Sequence, residues 1–159
     1  MQYRVLKKLL RFCVLSGALL SLIYINAGAA AAADFVSVKK NGVRLRSGPG
    51  TKYEVLFELP SGYPLKVLKR REKWLKVADY ERDKGWIYAG LVSKAPYVIV
   101  TVDECNIRSG PGTNYDKVGK AVRDVILKIQ DREGDWLKIQ HPELTGWIYR
   151  KLVWPQDAG

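Results

Sequence analysis

The sequence predicts an all-β chain: two small tandem β-barrels behind an N-terminal signal peptide. Three observations predict it. The phrase RSGPGT occurs at residues 46–51 and again at 108–113, and a tyrosine follows each copy, Tyr53 and Tyr115. Two more phrases recur in the same order, Trp74-Leu75-Lys76-Val77 with Trp136-Leu137-Lys138-Ile139, and Gly85-Trp86-Ile87-Tyr88 with Gly146-Trp147-Ile148-Tyr149. The offset is 62 for the first two phrases and 61 for the third, so one residue has been lost between them. Ordered self-similarity at a nearly fixed period is the mark of a tandem duplication. Second, apolar residues nowhere recur at helical spacing. Short β-rich runs are broken by turn residues about every 8–12 positions, as in small barrels. Third, the first 33 residues run basic, then apolar, then small, the order of a secretory signal peptide.

The predicted organisation is therefore a signal peptide at 1–33, a first repeat at 34–95 and a second at 96–159. Residues 1–11 hold Arg4, Lys7, Lys8 and Arg11 and no acid, residues 12–25 are apolar, and 27–33 read AGAAAAA. An uncleaved anchor is the alternative, since residues 12–33 are 22 positions without charge, long enough to span a bilayer. The alanine-rich end fits processing better, and only an uncleaved segment would bring the chain to a membrane. Cys13 lies before the apolar core and follows Arg11-Phe12, which argues against lipid attachment. After cleavage Cys105 alone remains, so no intramolecular disulfide is expected. The expected location is periplasmic or secreted.

Charge divides the repeats. The net charge of +11 becomes 23 − 16 = +7 without residues 1–33. Residues 34–95 hold 14 Lys+Arg against 7 Asp+Glu, and residues 96–159 hold 9 against 9. A one-sided positive field suits an anionic partner, whether nucleic acid, membrane headgroups or an envelope polymer. A solvated basic face that aids solubility explains the charge equally well. Export argues against nucleic acid.

Along the first repeat, Phe35 to Val38 has β character and Asn41-Gly42 signals a tight turn. Val43-Arg44-Leu45-Arg46 alternates, with Val43 and Leu45 on one face. Ser47-Gly48-Pro49-Gly50 cannot continue a strand, because proline lacks a donor and glycine permits unusual φ, so it forms a shaped loop. Tyr53 to Leu59, the stretch around Leu65 and Val67, Trp74 to Ala78 and Gly85 to Tyr88 supply further strands. Lys69 to Lys73 reads as a charged hairpin tip. The second repeat follows the same order: a strand at Tyr97–Val102, Cys105 to Arg108 leading into the loop, a tip at Asp131–Asp135 and a loop at His141–Thr145. Val118, Leu127, Ile129, Leu137, Ile139 and Ile148 are expected in its core.

The same alternation selects candidate binding residues. If Leu75, Val77 and Ile87 face the core, Trp74, Trp86 and Tyr88 point outward, and Trp136, Trp147 and Tyr149 do the same. Outward aromatics clustered on a small barrel make a candidate groove. Cover by neighbouring loops is the bland alternative. Tyr53, Tyr115 and Asn106 complete the candidate set.

Asn106-Ile107-Arg108-Ser109-Gly110-Pro111-Gly112, Val118, Trp136-x-Lys138-Ile139 and Gly146-Trp147-Ile148 closely resemble the bacterial SH3-like domain. The first repeat resembles it through Leu45 to Gly50, Trp74-x-Lys76-Val77 and Gly85-Trp86-Ile87. The resemblance covers nearly all of residues 36–154 and implies a small, partly open β-barrel. It further implies an envelope module that binds peptidoglycan or its peptides. The family usually carries Asn before the Leu/Ile-Arg pair, where the first repeat has Arg44. An adaptor that uses the same groove on an exported protein partner is the alternative.

No enzyme is expected. A cysteine peptidase needs Cys, His and an orienting group, and the only candidates are Cys105 and the single histidine, His141. Cys105 occupies the place of Val43, on the face of Ile107, and reads as a small buried hydrophobe. Ser47 and Ser109 are turn residues without a nearby base. No spacing suggests a metal, and nothing calls for a cofactor.

Overall fold

In a computed structural model, residues 33–157 are described; the predicted signal peptide lies almost wholly outside them. The first repeat forms β1 (Phe35–Val38), β2 (Val43–Arg46), β3 (Val55–Leu59), β4 (Pro64–Arg71), β5 (Trp74–Ala78), β6 (Lys84–Tyr88) and β7 (Val92–Ser93). The second forms β8 (Tyr97–Val100), β9 (Glu104–Arg108), β10 (Lys117–Val122), β11 (Ile126–Glu133), β12 (Trp136–His141), β13 (Leu144–Tyr149) and β14 (Val153–Trp154). A 3-10 turn, Ala89–Leu91 or Arg150–Leu152, precedes each closing strand.

The two sheets repeat one topology. Their orders are β3-β2-β6-β5-β4-β1-β7 and β10-β9-β13-β12-β11-β8-β14, the same order advanced by seven strands. Neighbouring strands are antiparallel. Each sheet curls around its own core. Val36, Leu45, Leu65, Leu75, Val77 and Ile87 fill the first. Val98, Ile107, Leu127, Leu137, Ile139 and Ile148 fill the second. The alternation read from sequence holds: Leu75, Val77 and Ile87 are buried while Trp74 and Trp86 keep partial exposure. At roughly 25 cal/mol per Å² of apolar surface, such one-sided burial is the main force closing a barrel this small.

Three expectations are corrected. Val118 is 45% exposed rather than in the core. The β9–β10 register slips between Lys117 and Gly119, and the extra residue of a bulge loses its place in the alternation. Ala121 takes the buried position instead. The charged hairpin tips are also narrower than expected. β4 continues to Arg71 and β11 to Glu133, pairing with Trp74 and Trp136 respectively. The backbone ladder carries the strands past the core while their charged side chains stay in water. Two-residue turns then close them, with Glu72 at φ 51° and Gly134 at φ 55°, the left-handed conformation that tight hairpins favour. Finally, His141 and Leu144 pair across β12 and β13, so the expected loop shrinks to Pro142-Glu143.

The repeats touch through a few side chains. Phe35 meets Trp154 edge to face, and the Tyr80 hydroxyl donates to Asp124. Gly62 lies so close under Tyr97 that a Cβ there would stand 2.8 Å from the ring.

Candidate ligand-binding grooves

Each barrel carries one aromatic groove, at equivalent positions. In the first, Trp74 on β5 and Tyr88 on β6 are cross-strand partners. Their rings meet at 5.8 Å with planes at 72°. Arg44 and Arg46 from β2, Thr51 from the loop and Leu91 from the 3-10 turn complete the walls of a groove of about 530 Å³, and Lys40 lies at its rim. In the second, Trp136 and Tyr149 are partners, 5.6 Å apart at 51°. Asn106, Arg108, Thr113, Asn114 and Leu152 line a groove of about 570 Å³. The near-equal volumes and matched linings show that duplication preserved the groove as well as the barrel.

The shaped loop forms one wall, and the repeated arginine holds it. Arg46 Nη1 donates to the carbonyls of Thr51 at 3.0 Å and Tyr53 at 2.8 Å. Arg108 Nη1 donates to those of Thr113 and Tyr115, both at 2.8 Å. Charge-assisted bonds of this kind are roughly twice as strong as neutral ones. Backbone bonds from Ser47 to Glu54 and from Ser109 to Asp116 close the base of each loop.

The nine residues selected from sequence separate into three groups. Trp74, Tyr88, Asn106, Trp136 and Tyr149 come together in the grooves. Tyr53 and Tyr115 do not line them. Their rings cover the loop glycines so closely that a Cβ on Gly48 or Gly110 would lie 2.3 Å from the ring. Trp86 and Trp147 pair in register with Lys76 and Lys138 and with the loop arginines Arg46 and Arg108; they too lie outside the groove walls. Among the lining residues that sequence reasoning missed are Thr51, Thr113, Leu91 and Leu152. The repeat contained the signal for them, since both threonines close RSGPGT and both leucines share the offset of 61.

Cys105 is buried; burial pushes its thiol pKa up, which disfavours the thiolate. His141 accepts the Glu143 backbone N–H at Nδ1, at 3.4 Å.

Fold and grooves together define a tandem small-barrel protein in which each repeat carries a paired aromatic cleft. The chain belongs to the bacterial SH3 domain family: matches described as "Bacterial SH3 domain" cover residues 39–94 and again 103–153. Among curated proteins it is similar to "Putative N-acetylmuramoyl-L-alanine amidase YrvJ" of Bacillus subtilis (strain 168), at 29% identity over 122 residues. That alignment covers 70% of this chain and 24% of the relative, so the chain spans about a quarter of the relative's length. Among solved structures it is similar to NlpC2 from Trichomonas vaginalis, with a TM-score of 0.35 and 16% identity over 76% of this chain and 47% of the other. It is also similar to an NlpC/P60 family protein from Bacillus cereus ATCC 10987, with a TM-score of 0.36 and 10% identity over 76% and 55%.

Proposed function

We propose that the chain is a non-catalytic cell-envelope binding module whose two bacterial SH3 domains recognise peptidoglycan or its peptides. The observation that carries this reading is the duplicated groove, Trp74 with Tyr88 and Trp136 with Tyr149, in matched clefts of about 530 and 570 Å³. Flat aromatic walls bury the apolar faces of sugars and short peptides while a few polar groups set orientation. The similarity to a relative named as an N-acetylmuramoyl-L-alanine amidase supports a wall ligand. The basic, apolar and small order of residues 1–33 supports export to the periplasm or beyond. Two weak sites on one chain reinforce each other by effective concentration.

Co-sedimentation of the exported chain with purified peptidoglycan across a salt series tests this. Retention is expected to persist at high salt and to fall at least roughly tenfold in the Trp74→Ala, Trp136→Ala double variant, with each aromatic anchor contributing more than about 1 kcal/mol. Retention only at low salt, unchanged in the double variant, would reduce the interaction to charge. Absence of retention at any salt would favour an exported protein partner.

A further inference from the structure

The two grooves share a platform but differ in the residues that would choose a ligand. Common to both are the aromatic pair, the loop arginine and threonine, and the leucine of the 3-10 turn. The differences lie in charge. At the Arg44 position the second groove has Asn106, and at the Lys40 position the chain has Val102. Where Gly42 lines the first groove, the second repeat carries Glu104, which pairs with Lys120 at 2.7 Å. Among lining residues the first groove thus has three cations and no acid, and the second has one cation and no acid; outside the linings, Glu58 pairs with Arg44 and Lys120 offsets Glu104. Arg44 is free to exchange partners: its bond to Glu58, at 3.1 Å, joins two side chains that are each more than half exposed. Pairs of that kind contribute little to stability and yield easily to a better-placed anion.

We propose that the grooves are specialised. The first takes a short peptide that ends in a free carboxylate, held by Lys40 and Arg44 beside the Trp74–Tyr88 walls. The second takes an uncharged, amide-bearing segment, held by Asn106 and Asn114. This rests on the reading of the grooves as ligand sites. A carboxylate gains charge-assisted bonds from a guanidinium that an asparagine cannot supply. The amide side chain of Asn106 instead donates and accepts at once, which matches a peptide group.

The test follows the indole N–H resonances of Trp74 and Trp136 in the full chain, titrated with acetyl-Ala-Ala-Ala as the free acid and as the C-terminal amide. The Trp74 resonance is expected to move at roughly tenfold lower concentration of acid than of amide, a margin that shrinks with added salt. Trp136 is expected to show no preference for the acid. Arg44→Asn together with Lys40→Val should erase the preference at Trp74, and Asn106→Arg should create one at Trp136. Equal response of Trp74 to acid and amide, or the same acid preference at Trp136, overturns the specialisation and leaves groove binding intact. If neither resonance moves with either peptide, peptide binding in the grooves falls, and the specialisation with it.

Discussion

Phe35, on the first strand of the first barrel, meets Trp154, on the last strand of the second, with ring centroids 5.4 Å apart and planes at 88°. The start of one repeat is thereby clasped by the end of the other. Trp154→Ala removes one ring of the pair, and edge-to-face contacts are worth about 0.5–1.5 kcal/mol beyond the area they bury. The variant is expected to show a lower thermal midpoint by circular dichroism, with the two barrels melting less cooperatively. An unchanged, single transition would show that the clasp carries no coupling.

Arg108 ties the loop that walls the second groove. Arg108→Ala leaves the carbonyls of Thr113 and Tyr115 without their shared donor. The expected cost is about 1–3 kcal/mol in stability, together with faster amide exchange across residues 109–116. Arg46→Ala should act in the same way on the first loop, and hydrogen exchange read separately on each loop would show whether the two effects are independent.

Gly110 is required by proximity rather than by φ. A Cβ there would stand 2.3–2.6 Å from the Tyr115 ring, so Gly110→Ala must expel the ring and open the loop. The expected readout is loss of the ring-current shifts that Tyr115 imposes on the Gly110 and Gly112 protons, with a drop in stability. Retention of those shifts would mean that the loop accommodates the methyl without moving the ring.

The contact between Tyr80 and Asp124 makes stability fall at alkaline pH. Tyr80 is pushed up to about 12, first by its hydrogen bond to Asp124 and then by burial. Burial, and then Asp79, raise Tyr63 as well. Both groups have folded pKa values above the ordinary value of 10. Their contribution is therefore complete below pH 10 and is lost as pH climbs, for Tyr80 through about 12. Denaturant midpoints between pH 9 and 12 should fall less steeply in Tyr80→Phe than in the parent chain. Parallel curves would remove Tyr80 from the alkaline response.

Much of the fold was legible because its information is local and duplicated. The alternation in Trp74-Leu75-Lys76-Val77 assigns faces from the two-residue period of a strand alone. Seeing the pattern twice guards against chance. Val118 was misread because a bulge is a long-range event. Gly119 is a local hint, since a lone glycine inside a strand pattern suggests a bulge, but the slip between Lys117 and Gly119 depends on how β10 lies against β9.

The sequence by itself determined the duplication, the all-β class, most of the core-facing residues and the outward direction of the aromatics. Each of these follows from spacing along the chain. Only the tertiary structure decided which outward aromatics meet. Trp74 faces Tyr88 because β5 and β6 pair in that register, whereas Trp86, with the same outward direction, lies outside the groove wall and Tyr53 covers its own loop. It also decided that Phe35 and Trp154, 119 positions apart in sequence, form one contact. Period sets the face a side chain takes, but neighbours across strands are chosen by register and by how far each sheet curls, and those are properties of the closed barrel.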